Sequence, residues 1–128
     1  MKALTAEWVE KAEGDFHSCL REVRTRHHPN HDSACFHAQQ CAEKYLKARL
    51  QEAGLAFPKT HDLLGLLNRL LTVEAAWTTL NPQLTQLVNY AVVFRYPGVS
   101  ASKADARKAL AACRAVRRAV RQSLKLKD

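Results

Sequence analysis

A guanidinium placed among apolar neighbours needs an anion. Arg95 follows Tyr90-Ala91-Val92-Val93-Phe94 and precedes Tyr96-Pro97-Gly98, so its charge requires a carboxylate, a backbone carbonyl or a ligand phosphate. Glu43 or Asp62 would serve as an internal partner. With neither in reach, Arg95 is available to a ligand, with Tyr90 and Tyr96 beside it. A second cluster, Lys59-Thr60-His61-Asp62, stands just before a leucine-rich run. At a helix N-terminus, Lys59, His61 and Asp62 would favour a phosphate through free backbone N–H groups and the helix dipole. Thr60 and Asp62 also read as ordinary caps, which leaves His61 without a structural task. Glu43 and Lys47 lie four apart and read either as ligand-binding residues or as an exposed ion pair worth roughly 0.2–0.5 kcal/mol.

These residues need scaffolding, and the apolar spacing supplies helices. Thr5 is the expected cap of a first helix reaching about Val23, with Leu4, Trp8, Ala12, Phe16, Cys19, Leu20 and Val23 on one face. A polar linker, Arg24 to Asp32, is broken by Pro29. Asp32 or Ser33 would then cap a long second helix with an inner stripe of Ala34, Ala38, Cys41, Ala42, Tyr45, Leu46 and Leu50, stopped by Gly54. A third helix is expected through Leu71, and Glu74 to Leu80 reads as a short extension or turn. Asn81-Pro82 signals the start of a fourth, running to about Arg95 and halted by Pro97-Gly98. Ser102 with Asp105 resembles a capping box opening a fifth. No strand pattern, repeat or low-complexity tract appears. The expectation is one all-α domain over residues 1–128, an antiparallel up-and-down bundle of four long helices plus one short.

Charge is unevenly placed. The net charge is +8, yet residues 1–102 carry 11 basic and 10 acidic side chains, whereas residues 103–128 carry nine and two. On the last helix Lys103, Arg107, Arg114, Arg118, Arg121 and Lys125 fall within an arc of about 60°, forming a stripe about 33 Å long. Ala106, Ala109, Leu110, Cys113, Val116, Val120 and Leu124 face elsewhere. The stripe reads either as a solvated face or as a track for nucleic-acid phosphates or an acidic partner. It carries no aromatic residue to stack bases, so phosphate contact would give affinity without sequence specificity.

Cys19, Cys35, Cys41 and Cys113 form no C-x-x-C pair, and Cys35 and Cys41 stand about 240° apart on their helix. Buried reduced thiols are expected, with no metal or disulfide framework. His27, His28, His31 and Asp32 in the linker have metal-ligand chemistry, but Arg21, Arg24 and Arg26 beside them oppose a dication. Two arginine–histidine spacings there, Arg21 to His27 and Arg26 to His31, read as chance products of a biased stretch. No apolar run reaches the ~20 residues of a membrane span, and the charged N-terminus lacks a signal-peptide core. A cytoplasmic protein with no membrane association is expected.

Four groups then stand together in order: Gln40 to Leu50 with Cys-Ala-Glu-Lys-Tyr-Leu-Lys-Ala, Lys59-Thr60-His61-Asp62-Leu63, Tyr90-Ala91-Val92, and Arg95-Tyr96-Pro97. Over Trp8 to about Leu124 the chain resembles the HEPN domain family, small helical bundles that commonly dimerise and often stand beside a minimal nucleotidyltransferase. The resemblance implies two functional classes. One comprises metal-independent endoribonucleases, toxins among them, in which an arginine is followed after four to six residues by a histidine and dimerisation assembles the site. The other comprises binding partners of the nucleotidyltransferase. Counting from Arg95, the histidine positions hold Ser100, Ala101 and Ser102, none of which exchanges a proton near neutral pH as imidazole does.

The expected function is therefore a homodimeric, non-catalytic or weakly catalytic partner of a minimal nucleotidyltransferase, within a toxin and antitoxin module, associating with nucleotide or RNA and needing no cofactor. The alternative is a ribonuclease toxin using Arg95 with His61 or another histidine.

Overall fold

The computed structural model describes all residues, Met1–Asp128, and contains helices and turns without a strand. The elements are α1 (Ala3–Arg24), α2 (His31–Ala53), α3 (Leu63–Leu70), a 3-10 turn (Ala75–Leu80), α4 (Asn81–Val93) and α5 (Lys103–Ser123). The expected all-α bundle is observed. No helix is long and apolar enough to cross a membrane.

α2 is the central rod and packs against every other helix, most extensively against α1 and α5. Its expected stripe, Ala34, Ala38, Cys41, Ala42, Tyr45, Leu46 and Leu50, is wholly buried. Four of those seven are alanine or cysteine, small enough to let neighbouring helices approach closely. Burial extends around the rod to Cys35, Ala48, Gln39, Glu43 and Lys47. Leu63, Leu66, Leu67 and Leu70 of α3, with Leu84 and Leu87 of α4, close one side. Each fully buried leucine contributes about 1.5–3 kcal/mol against leaving it in water.

Helix ends depart from the expected caps in three places. Thr5 does not cap α1; it is buried within the first turn. The start of α1 is tied instead to the end of α2, where the Lys2 backbone N–H donates to Glu52 Oε1 at 2.9 Å and Lys2 Nζ donates to the Gln51 carbonyl at 3.4 Å. This rotates the buried face, so Thr5 and Val9 go inside and Leu4 is exposed. α2 is capped by Asn30, whose Oδ1 accepts from the Ser33 N–H at 2.9 Å. Asp32 is thereby released for a longer-range bond. Asn81 does not cap α4; its side chain accepts from Thr85 Oγ1 at 3.2 Å.

The remaining terminators behave as their residue types require. Gly54 ends α2 at φ +70°, in the left-handed region glycine occupies without a Cβ clash. Ser102 and Asp105 exchange both bonds of a capping box at α5, at 3.0 and 2.9 Å. Asp62 caps α3 by accepting from the Gly65 N–H at 3.1 Å. A side chain at Gly65 would collide with the Asp62 carboxylate, so this tight cap depends on glycine.

The four cysteines are free and buried. Burial pushes the Cys35 thiol up to about 12, and Cys19 and Cys113, whose thiols face one another, are raised further. Cys19, Cys35 and Cys113 are therefore protonated packing groups at neutral pH.

Candidate functional site

The end of the bundle where α1 stops, α2 starts, α4 stops and α5 starts is drawn together by one hydrogen bond. Asp32 Oδ1 accepts from the Ala101 N–H at 2.6 Å, clasping the α4–α5 connection onto the first turn of α2. Beside that clasp lies a cavity of about 530 Å³. α2 lines it with Asp32, Cys35, Phe36, Gln39 and Gln40; the α3 approach contributes His61; α4 and its following turn contribute Val88, Tyr90, Ala91, Val92, Phe94 and Arg95. A largely apolar hollow with a few convergent polar groups is the usual form of a small-ligand site.

His61 owes its position to a carboxylate in the core. Glu43 is only 2% exposed, and a buried carboxylate is tolerable only when its oxygens are paired. Lys47 Nζ donates to Glu43 Oε2 at 3.0 Å, and Gln39 Nε2 reaches Oε1 at 3.4 Å. His61 Nδ1 approaches the same Oε1 at 2.9 Å. Since a carboxylate only accepts, Nδ1 carries the hydrogen, and the Nε2 of a neutral ring is left as an acceptor. The His61 side chain is 81% exposed, so that nitrogen is open to solvent and ligand. Lys47 is held from its other side by the Trp8 ring, 5.4 Å from Nζ to centroid.

The sequence reading of Glu43 and Lys47 as an exposed ion pair is thus overturned. The four-residue spacing is right, but both lie inside because α2 is enclosed on most of its circumference.

Arg95 is the opposite case. α4 ends at Val93, two residues short of the expected boundary, and Phe94 and Arg95 form the turn beyond it. Arg95 is exposed, and while its backbone N–H donates to the Val92 carbonyl at 3.4 Å, its side chain makes no hydrogen bond or ion pair within the chain. Its two expected internal partners are engaged elsewhere, Glu43 with Lys47 and His61, Asp62 with the α3 N-terminus. The apolar surroundings bury nothing of its charge because the turn carries it outward. Next to it, Tyr90 and Phe94 stack with centroids 5.4 Å apart, and the Tyr90 hydroxyl accepts from Gln86 Nε2 at 3.1 Å. Partial burial raises the Tyr90 phenol above its ordinary value.

Of the candidate residues, the cavity gathers His61, Tyr90 and Arg95, with Glu43 and Lys47 behind His61. It does not gather Lys59, Asp62 or Tyr96. Asp62 is a cap, Lys59 is exposed without a partner, and Tyr96 is 63% exposed outside the hollow. Sequence reasoning missed Asp32, Phe36, Gln39 and Gln40 as lining groups. The signal was present in Gln39-Gln40, an adjacent amide pair set between the small residues Ala38, Cys41 and Ala42 of α2. Of the three positions after Arg95 at which the resemblance looked for a histidine, Ala101 receives the Asp32 clasp and Ser102 caps α5.

The α5 stripe also divides. Lys103, Arg107, Arg114, Arg118 and Lys125 are exposed. Arg121 is not part of the free stripe: its NH1 donates to Tyr45 Oη at 3.1 Å and to Glu13 Oε1 at 3.4 Å, and its Nε donates to the Lys127 carbonyl. No three His, Cys, Asp or Glu side chains converge as a metal site.

Fold and site together define a small helical-bundle protein with an arginine and a carboxylate-held histidine lining a hollow of about 530 Å³. Residues 5–123 match the model of the HEPN domain, and the chain belongs to that family. It is also similar to a protein of Methanocaldococcus jannaschii named "Putative toxin MJ1304", at 29% identity over 97 residues, which is 70% of this chain and 61% of that protein. No solved structure matches the chain.

Proposed function

We propose that the protein is a toxin-type HEPN component whose end cavity binds the phosphate and base of a nucleotide, free or within RNA. The observation that carries the reading is the shared cavity of unpaired Arg95 and the Glu43-held His61. Arg95 supplies a forked cation for phosphate oxygens, His61 Nε2 and the Gln39 and Gln40 amides supply polar contacts, and the Tyr90–Phe94 stack borders a base-sized space. The toxin assignment draws on the name of the archaeal relative, and pairing with a minimal nucleotidyltransferase draws on the HEPN family. Homodimerisation is supported by exposed Phe36, Val92, Val93, Tyr96 and Val99, large apolar side chains crowded around the cavity at the α2 and α4 ends.

Thermal shift with AMP and ATP tests the site. A ligand that binds only the folded state must raise the melting temperature, and the rise should vanish in Arg95→Ala. No shift with any nucleotide, or an undiminished shift in the variant, refutes it. Co-purification of a neighbouring nucleotidyltransferase and a dimeric mass in light scattering test the partner proposals.

One observation favours a second reading, metal-independent RNA cleavage: His61 Nδ1 is held by Glu43 while the rest of the ring faces solvent, the geometry that leaves Nε2 to act as a general base in the neutral ring. Its Nε2 would take the proton of a ribose 2′-hydroxyl as that oxygen bonds to phosphorus and the bond to the 5′-oxygen breaks, leaving a 2′,3′-cyclic phosphate and a 5′-hydroxyl protonated by water, while Arg95 stabilises the phosphorane charge. Cleavage of RNA in EDTA that is lost in both His61→Ala and Arg95→Ala would establish it.

A further inference from the structure

A second cationic surface runs along the seam between α1 and α5, outside the cavity. The two helices are antiparallel there. Glu13 meets Arg117 and Arg121, Phe16 meets Arg114 and Arg117, and Cys19 meets Cys113. Residue numbers rise on one helix as they fall on the other, so the C-terminal turns of α1 lie beside the N-terminal half of α5. Asp15 of α1 bonds to His37 and Lys44 of α2, which puts α2 on one flank of α1 and α5 on the other. On the α5 flank, following Glu13 and Phe16, come His17, Arg21 and Arg24. With Leu20 and Thr25 they line a hollow of about 380 Å³.

Its cations are uncommitted. Arg24, Lys103, Arg107 and Arg118 have no side-chain partner, Arg21 reaches only Ser18 Oγ at 3.3 Å, and Arg114 rests on the Phe16 ring at 5.7 Å. The nearby acids are occupied: Glu13 by Arg117 and Arg121, Glu22 by the Asn30 N–H, Asp105 by the capping box. Glu10 and Glu7 lie farther toward the N-terminus of α1, beyond Glu13. On α1, His17, Arg21 and Arg24 follow at four- and three-residue steps, about 4.5–6 Å apart along the axis, and on α5 Lys103, Arg107, Arg114 and Arg118 follow at steps of four, seven and four.

We propose that this α1–α5 seam, with His17, Arg21 and Arg24 on one edge and Lys103, Arg107, Arg114 and Arg118 on the other, binds the phosphodiester backbone of an RNA strand. The hollow offers a single apolar side chain among five. Protein partners are anchored by buried aromatic and apolar groups, whereas backbone phosphates need only cations and hydrogen-bond donors. Binding is sequence-independent and steeply salt-dependent. The seam shares a ligand class with the cavity but does not depend on it.

Fluorescence anisotropy with a labelled unstructured 20-nucleotide RNA tests this, comparing the full chain with Arg21→Ala/Arg107→Ala/Arg118→Ala. Those three side chains are exposed, so the variant should fold with an unchanged circular dichroism spectrum. Removing three phosphate contacts should flatten the log–log salt slope by about 2 and weaken binding roughly tenfold or more, while the AMP-induced thermal shift persists. An unchanged slope and affinity would overturn the seam proposal. So would polyglutamate competing for the seam as effectively as RNA, which would assign it to an acidic protein. Failure of the cavity reading is registered separately, by the AMP shift in wild type and Arg95→Ala.

Discussion

Two carboxylates, the part-buried Glu13 of α1 and the fully buried Glu43 of α2, are satisfied in different ways. Glu13 receives a two-pronged Arg117 at 2.8 and 2.7 Å, plus Arg121, and the Phe16 ring lies 4.4 Å from the Arg117 guanidinium. Every partner there keeps its charge at any physiological pH and is itself largely enclosed. Glu43 is buried more deeply, yet one of its partners is the solvent-facing imidazole of His61. The first arrangement clamps α1 to α5. The second projects a core carboxylate to the surface through a ring that can exchange protons and meet a ligand. Enclosure of the partner, rather than the identity of the acid, separates a clamp from a site.

The largest effect expected from breaking this contrast is Glu43→Leu. Lys47, 6% exposed, would be left charged in the core, and stranding one member of a buried pair costs about 3–5 kcal/mol; urea unfolding should show it, and Glu43→Leu/Lys47→Met should recover much of the loss. Glu13→Gln should cost less, roughly 1–3 kcal/mol, because its pair is partly solvated. Burial alone would raise the Glu13 carboxyl, but hydrogen bonds and charge from Arg117, with Tyr45 and Arg121, outweigh it and hold the group below its ordinary value. A lowered folded value means stability that is present above the unfolded carboxylate value and lost as pH falls through the folded one. Acid titration of the melting temperature should therefore be shallower below pH 4.5 in Glu13→Gln than in wild type.

Gly65→Ala comes next. The added methyl displaces the Asp62 cap, at about 1 kcal/mol, and because Asp62 follows His61 the change should also weaken any nucleotide-induced thermal shift. The smallest stability effect belongs to His61→Ala, about 0.5 kcal/mol or less for so exposed a partner, with the nucleotide response reduced nonetheless. A variant at His61 as destabilising as Glu13→Gln would erase the proposed distinction between clamp and site.

Much of the architecture was legible along the chain. The stripe of α2, the Gly54 stop, the Asp62 cap and the Ser102–Asp105 box all depend on spacing within a few residues, which local chemistry sets. The misreadings were non-local. Thr5 looked like a cap because nothing near it reveals that Lys2 is held by Glu52, fifty positions away. Arg121 sits on the polar arc by periodicity, but Glu13 and Tyr45 lie across two other helices and draw it inward. For Arg95 the sequence left both an internal partner and a ligand open, and the choice between them waits on the ending of α4 at Val93, which turns the side chain outward.

By itself, the amino-acid order determined a helical bundle, its helix limits to within a few residues, its cationic final helix and its HEPN character. The helices, their limits and the placing of the cations follow from backbone propensity and apolar periodicity, which act over one or two turns, while the HEPN character was carried by the resemblance of its motifs to the family. Tertiary packing decided which charges are structural and which are offered to a ligand. It enclosed α2 and so buried Glu43 and Lys47, and it brought His61, Tyr90 and Arg95 to one hollow. The environment of a charge is set by whatever the folded chain places around it, and those neighbours come from distant positions.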